Sequence, residues 1–338
     1  MAAVTIFDRG VWAAAYDTTV GTRAFSTVAA GTTIAQVDAL ANVSAVKVHS
    51  LKIAPSNTVI QRPIVKGSMG PSNHLIGKST AQVDIVFELK SAGSAAFTAG
   101  TAPEYASILA ACGVSVTPTA TTNIVIAPDS TVNTLKNKVD ICVFHDGMWW
   151  QVQSCAGTAT IDFTIGNIIL VTCTLQGAYV DPIALTTYTN SELLAVPYDP
   201  GSGIVANTTT SVLSDGTTVK AAATGFDLGN SVQEHYVTGD HQFSVADRAP
   251  KLTFTKDSIG TATEWANLTS ATSASITGTY KTAAATTAGT GDILTLTAPA
   301  AVRDSVAYNE RAERDILDVA YSLYETTAKN DQFALTFT

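Results

Sequence analysis

The sequence predicts a mainly β protein: two tandem β-sandwich or half-barrel modules, each with a short flanking α-helix and a long loop. Three observations carry this expectation. Residues 139–179 form a run of β-branched residues, aromatics and threonine cut by turn signals. Ala81–Lys90 (AQVDIVFELK) alternates as a strand with one packed and one polar face. Residues 204–338 loosely repeat the order of loop, strand, short helix and strands found earlier in the chain. The expected division is a first module at 1–185, a connection at 186–203 and a second, diverged module at 204–338.

A chain of 338 residues with 46% hydrophobic residues has ample material for a core, and only 14% of it is charged. The formal net charge of −9 disfavours gripping nucleic acid, which needs Lys and Arg to displace counterions. The four cysteines, Cys112, Cys142, Cys155 and Cys173, contain no C-x-x-C pair, so a zinc knuckle is not expected. Buried free thiols fit them, and so does pairing across a sheet. The start, MAAVTIFDRGVWAAAYD, has no basic n-region, and no apolar run approaches the length of a membrane span. Folding in a cytoplasm, with no membrane partner, is the expectation.

In chain order, residues 4–28 read as extended, with apolar clusters at Val4–Ile6 and Val11–Trp12. Residues 32–53 alternate and read as one or two strands, with Val43, Val46, Val48 and Leu51 inward. Residues 57–80 hold Pro63, Gly67, Gly70, Pro71 and Gly77 and read as a long excursion. Its apolar residues Ile60, Ile64, Val65, Met69, Leu75 and Ile76 suggest ordering against another surface. Ala81–Lys90 then points Val83, Ile85, Phe87 and Leu89 one way, and Gln82, Asp84 and Glu88 the other.

AGTAPEYASILAACG reads as a helix with Thr101 as cap, Glu104 favoured at its positive end and Gly113 as terminator. Its stripe is Tyr105, Ile108, Leu109 and Cys112. A Thr-rich loop and a short strand at Ile124–Ile126 follow. Turns are then expected at Asp146-Gly147, Ala156-Gly157 and Gly166-Asn167, giving four strands. In the second half, residues 225–248 read as another excursion with its own flanking strands. KLTFTK answers the strand at 81–90, and TATEWANLT answers the helix. SITGTYKT, DILTLTAP, VAYSLYE and FALTFT supply strands.

Motifs for chemistry are missing. There is no G-x-S-x-G, P-loop, dinucleotide fingerprint or H-E-x-x-H, so no catalytic residue, cofactor or metal site is expected. His235 with Glu234, Asp240 and His241 is the best metal-like cluster, but it reads as a solvated loop. His145-Asp146 reads as a hairpin turn. Trp149-Trp150 reads as one core and one interface residue, because neighbours on a strand face opposite ways. Residues 310–315, ERAERD, read as an exposed loop or helix turn.

The succession GKSTAQVDIVFELKSAG, APEYASILAACGV, VFHDGMWWQVQSCAGTATIDFTIGN and LQGAY resembles the tail tube proteins of tailed bacteriophages. The stretch Phe226-Asp227-Leu228-Gly229-Asn230 is similar to that family as well. The resemblance covers about 80–180 well and 220–338 more loosely, and its motifs are structural. It implies a virion protein, assembled in the host cytoplasm, whose sandwiches join into rings with one inner barrel. The rings stack into a hollow tail tube through which DNA passes without sticking. A long loop, here 57–80 with 231–249 as counterpart, would reach the next ring. Asp84, Glu88 and Asp162 are the candidates for an acidic lumen. Two modules per chain imply a trimer with pseudo-sixfold symmetry; a hexamer is the competing arrangement. Other implied partners are terminator, baseplate or tip, tape-measure and sheath proteins. Competing functions are a tail terminator, a hub, a capsid decoration protein, or a carbohydrate-binding surface module.

Overall fold

The computed structural model describes residues 9–15, 25, 27–29, 32–40, 43–62, 73–91, 97–130, 138–145, 147–184, 203–205, 211–214, 217–256, 262–281, 292–311 and 314–338. The chain is mainly β, with a large antiparallel sheet and short helices. Strand alternation is its organising rule. On Leu75–Glu88, Ala81, Val83, Ile85 and Phe87 are buried, while Gln82, Asp84, Val86 and Glu88 keep solvent access. Each large apolar side chain so buried contributes about 1.5–3 kcal/mol over its exposed state.

One series of eight strands forms a continuous wall. In spatial order it runs β3 (Ser50–Ile60), β4 (Leu75–Glu88), β9 (Leu170–Ala184), β8 (Met148–Asp162), β12 (Ala221–Asp227), β15 (Lys251–Lys256), β18 (Arg314–Leu323) and β17 (Ile293–Arg311). Every neighbouring pair is antiparallel. The order contains a repeat. A hairpin that extends into an arm (β3–β4, then β12–β15) is followed by a long two-stranded hairpin (β9–β8, then β18–β17). The units meet where Ile161 pairs with Phe226.

The remaining strands form the second layer. β7 (Val139–His145) pairs with the first half of β8 and carries β1 (Arg9–Ala15) and β2 (Val43–Val46). β16 (Ser273–Lys281) pairs with the first half of β17 in the same way, and carries β10 (Ser211–Ser214) and β11 (Thr217–Val219). β19 (Ala334–Phe337) joins β17 to β6 (Asn123–Pro128), which pairs with β5 (Val114–Thr119). The largest core cluster draws on both halves of the chain, from Val83 and Ile108 to Phe254 and Leu335. A smaller cluster packs Trp12, Phe144 and Trp149 under Ile34 and Val37. All four cysteines are buried thiols outside any disulfide, and burial pushes the Cys142 thiol well above its ordinary range.

Several expectations change. Residues 32–53 are not all strand: α1 (Ile34–Asp38) precedes β2, closed by a capping box between Thr33 and Gln36. The Thr-rich loop is strand β5. Ala156-Gly157 makes no turn. β8 runs through it with a bulge, so this region has three strands rather than four. Ser154 takes a left-handed φ of 51° there and donates its amide to buried Asp140 at 2.8 Å. A Cβ on Gly157 would lie 2.1 Å from the Thr174 carbonyl oxygen, so this glycine serves strand contact rather than chain reversal. The other turns hold, with Gly147 at φ 73° and Gly166 at φ 93°. Residues 4–8 lie outside the described residues.

The expected helix is α2 (Ala106–Ala111), and Gly113 follows it at φ 73°. Tyr105, Ile108, Leu109 and Cys112 are all buried, as the stripe predicts. Thr101 is not the cap; Tyr105 holds that position without a side-chain bond. Glu104 is nearly enclosed. It lies 3.4 Å from the buried Lys90 ammonium and accepts the Lys47 amide at 2.9 Å. The Tyr105 hydroxyl donates to the Lys90 carbonyl. The carboxylate therefore anchors α2 to the end of β4 rather than serving the helix dipole.

Glu104→Ala, which strips the buried lysine of its carboxylate, should cost about 3–5 kcal/mol in denaturant unfolding. Lys90→Met with Glu104→Leu should recover most of that loss. Equal losses in both variants would contradict the role given to the ion pair.

Candidate assembly surfaces

The outward face of the wall follows from the registers. Opposed residues on antiparallel strands share a face, so Lys52, Asp84, Thr174 and Thr158 form one row. Glu88, Leu170, Asp162 and Gly225 form another, and Asp227, Thr160 and Thr172 a third. Beyond the joint the face continues through Lys251, Thr253 and Thr255 to Ser322, Ala320 and Asp318. The three candidate acidic residues, Asp84, Glu88 and Asp162, thus lie on one face of one sheet. The sequence pattern alone did not reveal Asp227 and Asp318, because their alignment depends on the joint between the halves.

These carboxylates are positioned by local partners. Asp84 accepts from Gln82 Nε2 at 2.8 Å, and Glu88 meets His49 Nε2 at 2.7 Å. Asp162 accepts from both the amide (2.9 Å) and the hydroxyl (2.6 Å) of Thr164. Threonine dominates the rest of the face. These rows bear Asp84, Glu88, Asp162, Asp227 and Asp318 against Lys52 and Lys251, so the charge along them is negative.

Two arms leave the wall. Pairing of β4 with β9 ends at Thr80–Ala178, but pairing of β3 with β4 continues to Ile60–Leu75. The excursion expected at 57–80 is therefore strand at both ends. Ile64, Val65 and Met69 lie outside the described residues. Ile60, Leu75 and Ile76, with Val59, are about half exposed. A two-stranded ribbon is marginal alone, and apolar side chains on one need another surface. The second arm, β13 (Asn230–Val237) and β14 (Asp240–Arg248), is a hairpin too, with Tyr236 and Val237 exposed near its tip. At its base, Asn230 Nδ2 donates to the carbonyls of Cys112 (2.6 Å) and Gly157 (2.9 Å).

The cluster around His235 belongs to these strands rather than to a loop. His241 Nε2 lies 2.9 Å from Glu234, and Lys78 of the first arm donates to the same carboxylate. That contact ties the arms together. The bond from Lys78, then that from His241, holds the Glu234 carboxyl below its ordinary range. Trp149 is buried in the smaller core and Trp150 is half-buried on the opposite face. Of the mixed-charge run, Glu310 and Asp315 are opposed on β17 and β18 and both are exposed.

Because folding depresses the Glu234 pKa, its contribution is complete above the ordinary glutamate range and disappears as pH falls through the lower folded value. The thermal stability gap between the native chain and Glu234→Gln should therefore be present at neutral pH and close as pH drops below about 4. A gap unchanged by acid would remove the inter-arm contact from the account. A scan of the sequence against known protein families and a search of curated proteins both return no match.

Proposed function

We propose that this chain is a structural virion protein that polymerises into stacked rings, forming the hollow tail tube through which phage DNA passes. The observation that carries the reading is the repeated four-strand order of the wall with its two free edges. Among the described residues, β3 pairs only with β4, and the second half of β17 only with β18. Within the chain, β8 ends one unit and pairs with β12, which opens the next. By the same logic β17 of one copy meets β3 of the following copy. Eight alternating strands make those two edges antiparallel to each other, so head-to-tail repetition closes an uninterrupted antiparallel barrel without edges.

Geometry favours three chains. A barrel of about 24 strands, spaced about 4.8 Å apart and tilted about 35°, has a backbone diameter of roughly 45 Å. That leaves a wide aqueous bore. Six chains would double the diameter, far beyond what a single duplex needs. The polar, acidic face would line the bore, where it repels phosphates rather than holding them. The arms, with their exposed apolar ends, would reach the neighbouring ring. This reading makes the two halves tandem tube modules and the protein a non-enzymatic part of the tail, meeting the other tail proteins at the ends of the tube.

Microscopy of the purified chain at rising concentration should reveal hollow, stacked rings, and Ile60→Asp with Ile76→Asp should leave rings that do not stack. Isolated rings from the native chain would favour a terminator or hub. A second outcome concerns the bore. Tubes carrying Asp84→Lys, Glu88→Lys and Asp162→Lys should retain DNA at low salt, with retention falling steeply as salt rises, while native tubes release it. Equal release by both would exclude this face from the lumen.

A further inference from the structure

The ring reading predicts that two edges meet; the side chains at those edges indicate what locks them. Near the β3 edge the main core opens to solvent. Leu51, Ile53, Pro55, Val143, His145 and Trp150 line an apolar groove between the wall and the second layer. Leu51, Ile53 and Trp150 pack against the core yet remain half-buried. At the opposite edge Tyr308 of β17 is 57% exposed. It faces the core side, since it is opposed to buried Leu317. Trp265, on the helix Ala262–Thr269, supports its ring at 5.6 Å.

We infer that Tyr308 of one copy fills the Leu51–Ile53–Trp150 groove of the next copy, as the lock of the ring contact. The inference rests on the ring reading and deepens it. Its register can be derived. The buried row Phe87, Val171, Ile161, Phe226, Leu252, Tyr321 ends at Arg303 on one edge and reaches His49 on the other. Tyr308 lies four rows further along β17, allowing for the bulge between Arg303 and Ser305. A barrel tilted by about 35° in the usual right-handed sense displaces eight strands by roughly eight residues. That displacement sets Tyr308 of one copy opposite Ile53 of the next. The tyrosine enters at the groove, its ring buried and its hydroxyl directed toward the rim, where His145 stands.

The chain's own architecture excludes self-occupation: the groove and Tyr308 sit on opposite edges of an eight-stranded wall. The contact is heterologous, so each copy offers one knob and one groove. The intrachain joint is its precedent. There Ile161 and Phe226 meet across the seam and both are buried.

The test uses the full chain with Tyr308→Cys combined in turn with His49→Cys, Ile53→Cys or Asn57→Cys, oxidised by copper phenanthroline after assembly. The Ile53 pairing should give head-to-tail linked chains up to the ring number, at least about tenfold more than the other two. Tyr308→Ala should raise the concentration needed for ring assembly about tenfold or more, and Tyr308→Phe, which keeps the ring, should not. Rings that link at position 49 or 57, or that assemble normally with Tyr308→Ala, would overturn this lock while leaving the ring reading standing. Monomers at every concentration would overturn both.

Discussion

The short ladder between Ile161 and Phe226 is the interaction on which the rest depends. It fuses two similar four-strand units into one wall, and so determines which side chains share a face and which edges are left open. Without it, Asp162 and Asp227 would belong to separate sheets. With it, the acidic and threonine-rich positions of both halves become one surface, and the apolar positions become one core. Strand alternation makes the separation automatic, because every side chain that is not inward is outward.

The open edges follow from the same ladder. A wall of antiparallel strands has two rows of unpaired backbone groups unless it closes on itself or on a copy. Here those edges lie beside half-exposed apolar residues, at Leu51 and Ile53 on one side and Tyr308 on the other. At the β17 edge the exposed residues also include Asp304 and Glu310. The arms carry most of the remaining exposed apolar side chains, so the proposed stacking and the proposed ring closure would use separate parts of the chain.

Much of this was legible in the sequence. Ala81–Lys90 and the stripe of the helix before Gly113 have local signatures of period, and the structure follows them; of the turns expected between Val139 and Tyr179, those at Gly147 and Gly166 hold. The failures have local causes. Residues 32–53 looked like strand because they alternate, although Thr33 and Gln36 carry a capping-box signal. Ala156-Gly157 looked like a turn because glycine marks both turns and close strand contacts. Glu104 looked like a dipole partner because its lysine lies fourteen residues away. The wall's shared face, its edges and the exposure of Tyr308 depend on pairings between distant strands, which local pattern cannot specify.

The central claim is that the eight-stranded wall repeats around a closed ring. Native mass measurement of rings dissociated from assembled tubes tests it most directly. Three chains per ring is the predicted result, giving a barrel of about 24 strands. Six chains per ring would contradict it, since either the barrel would double in diameter or one unit of each chain would lie outside it.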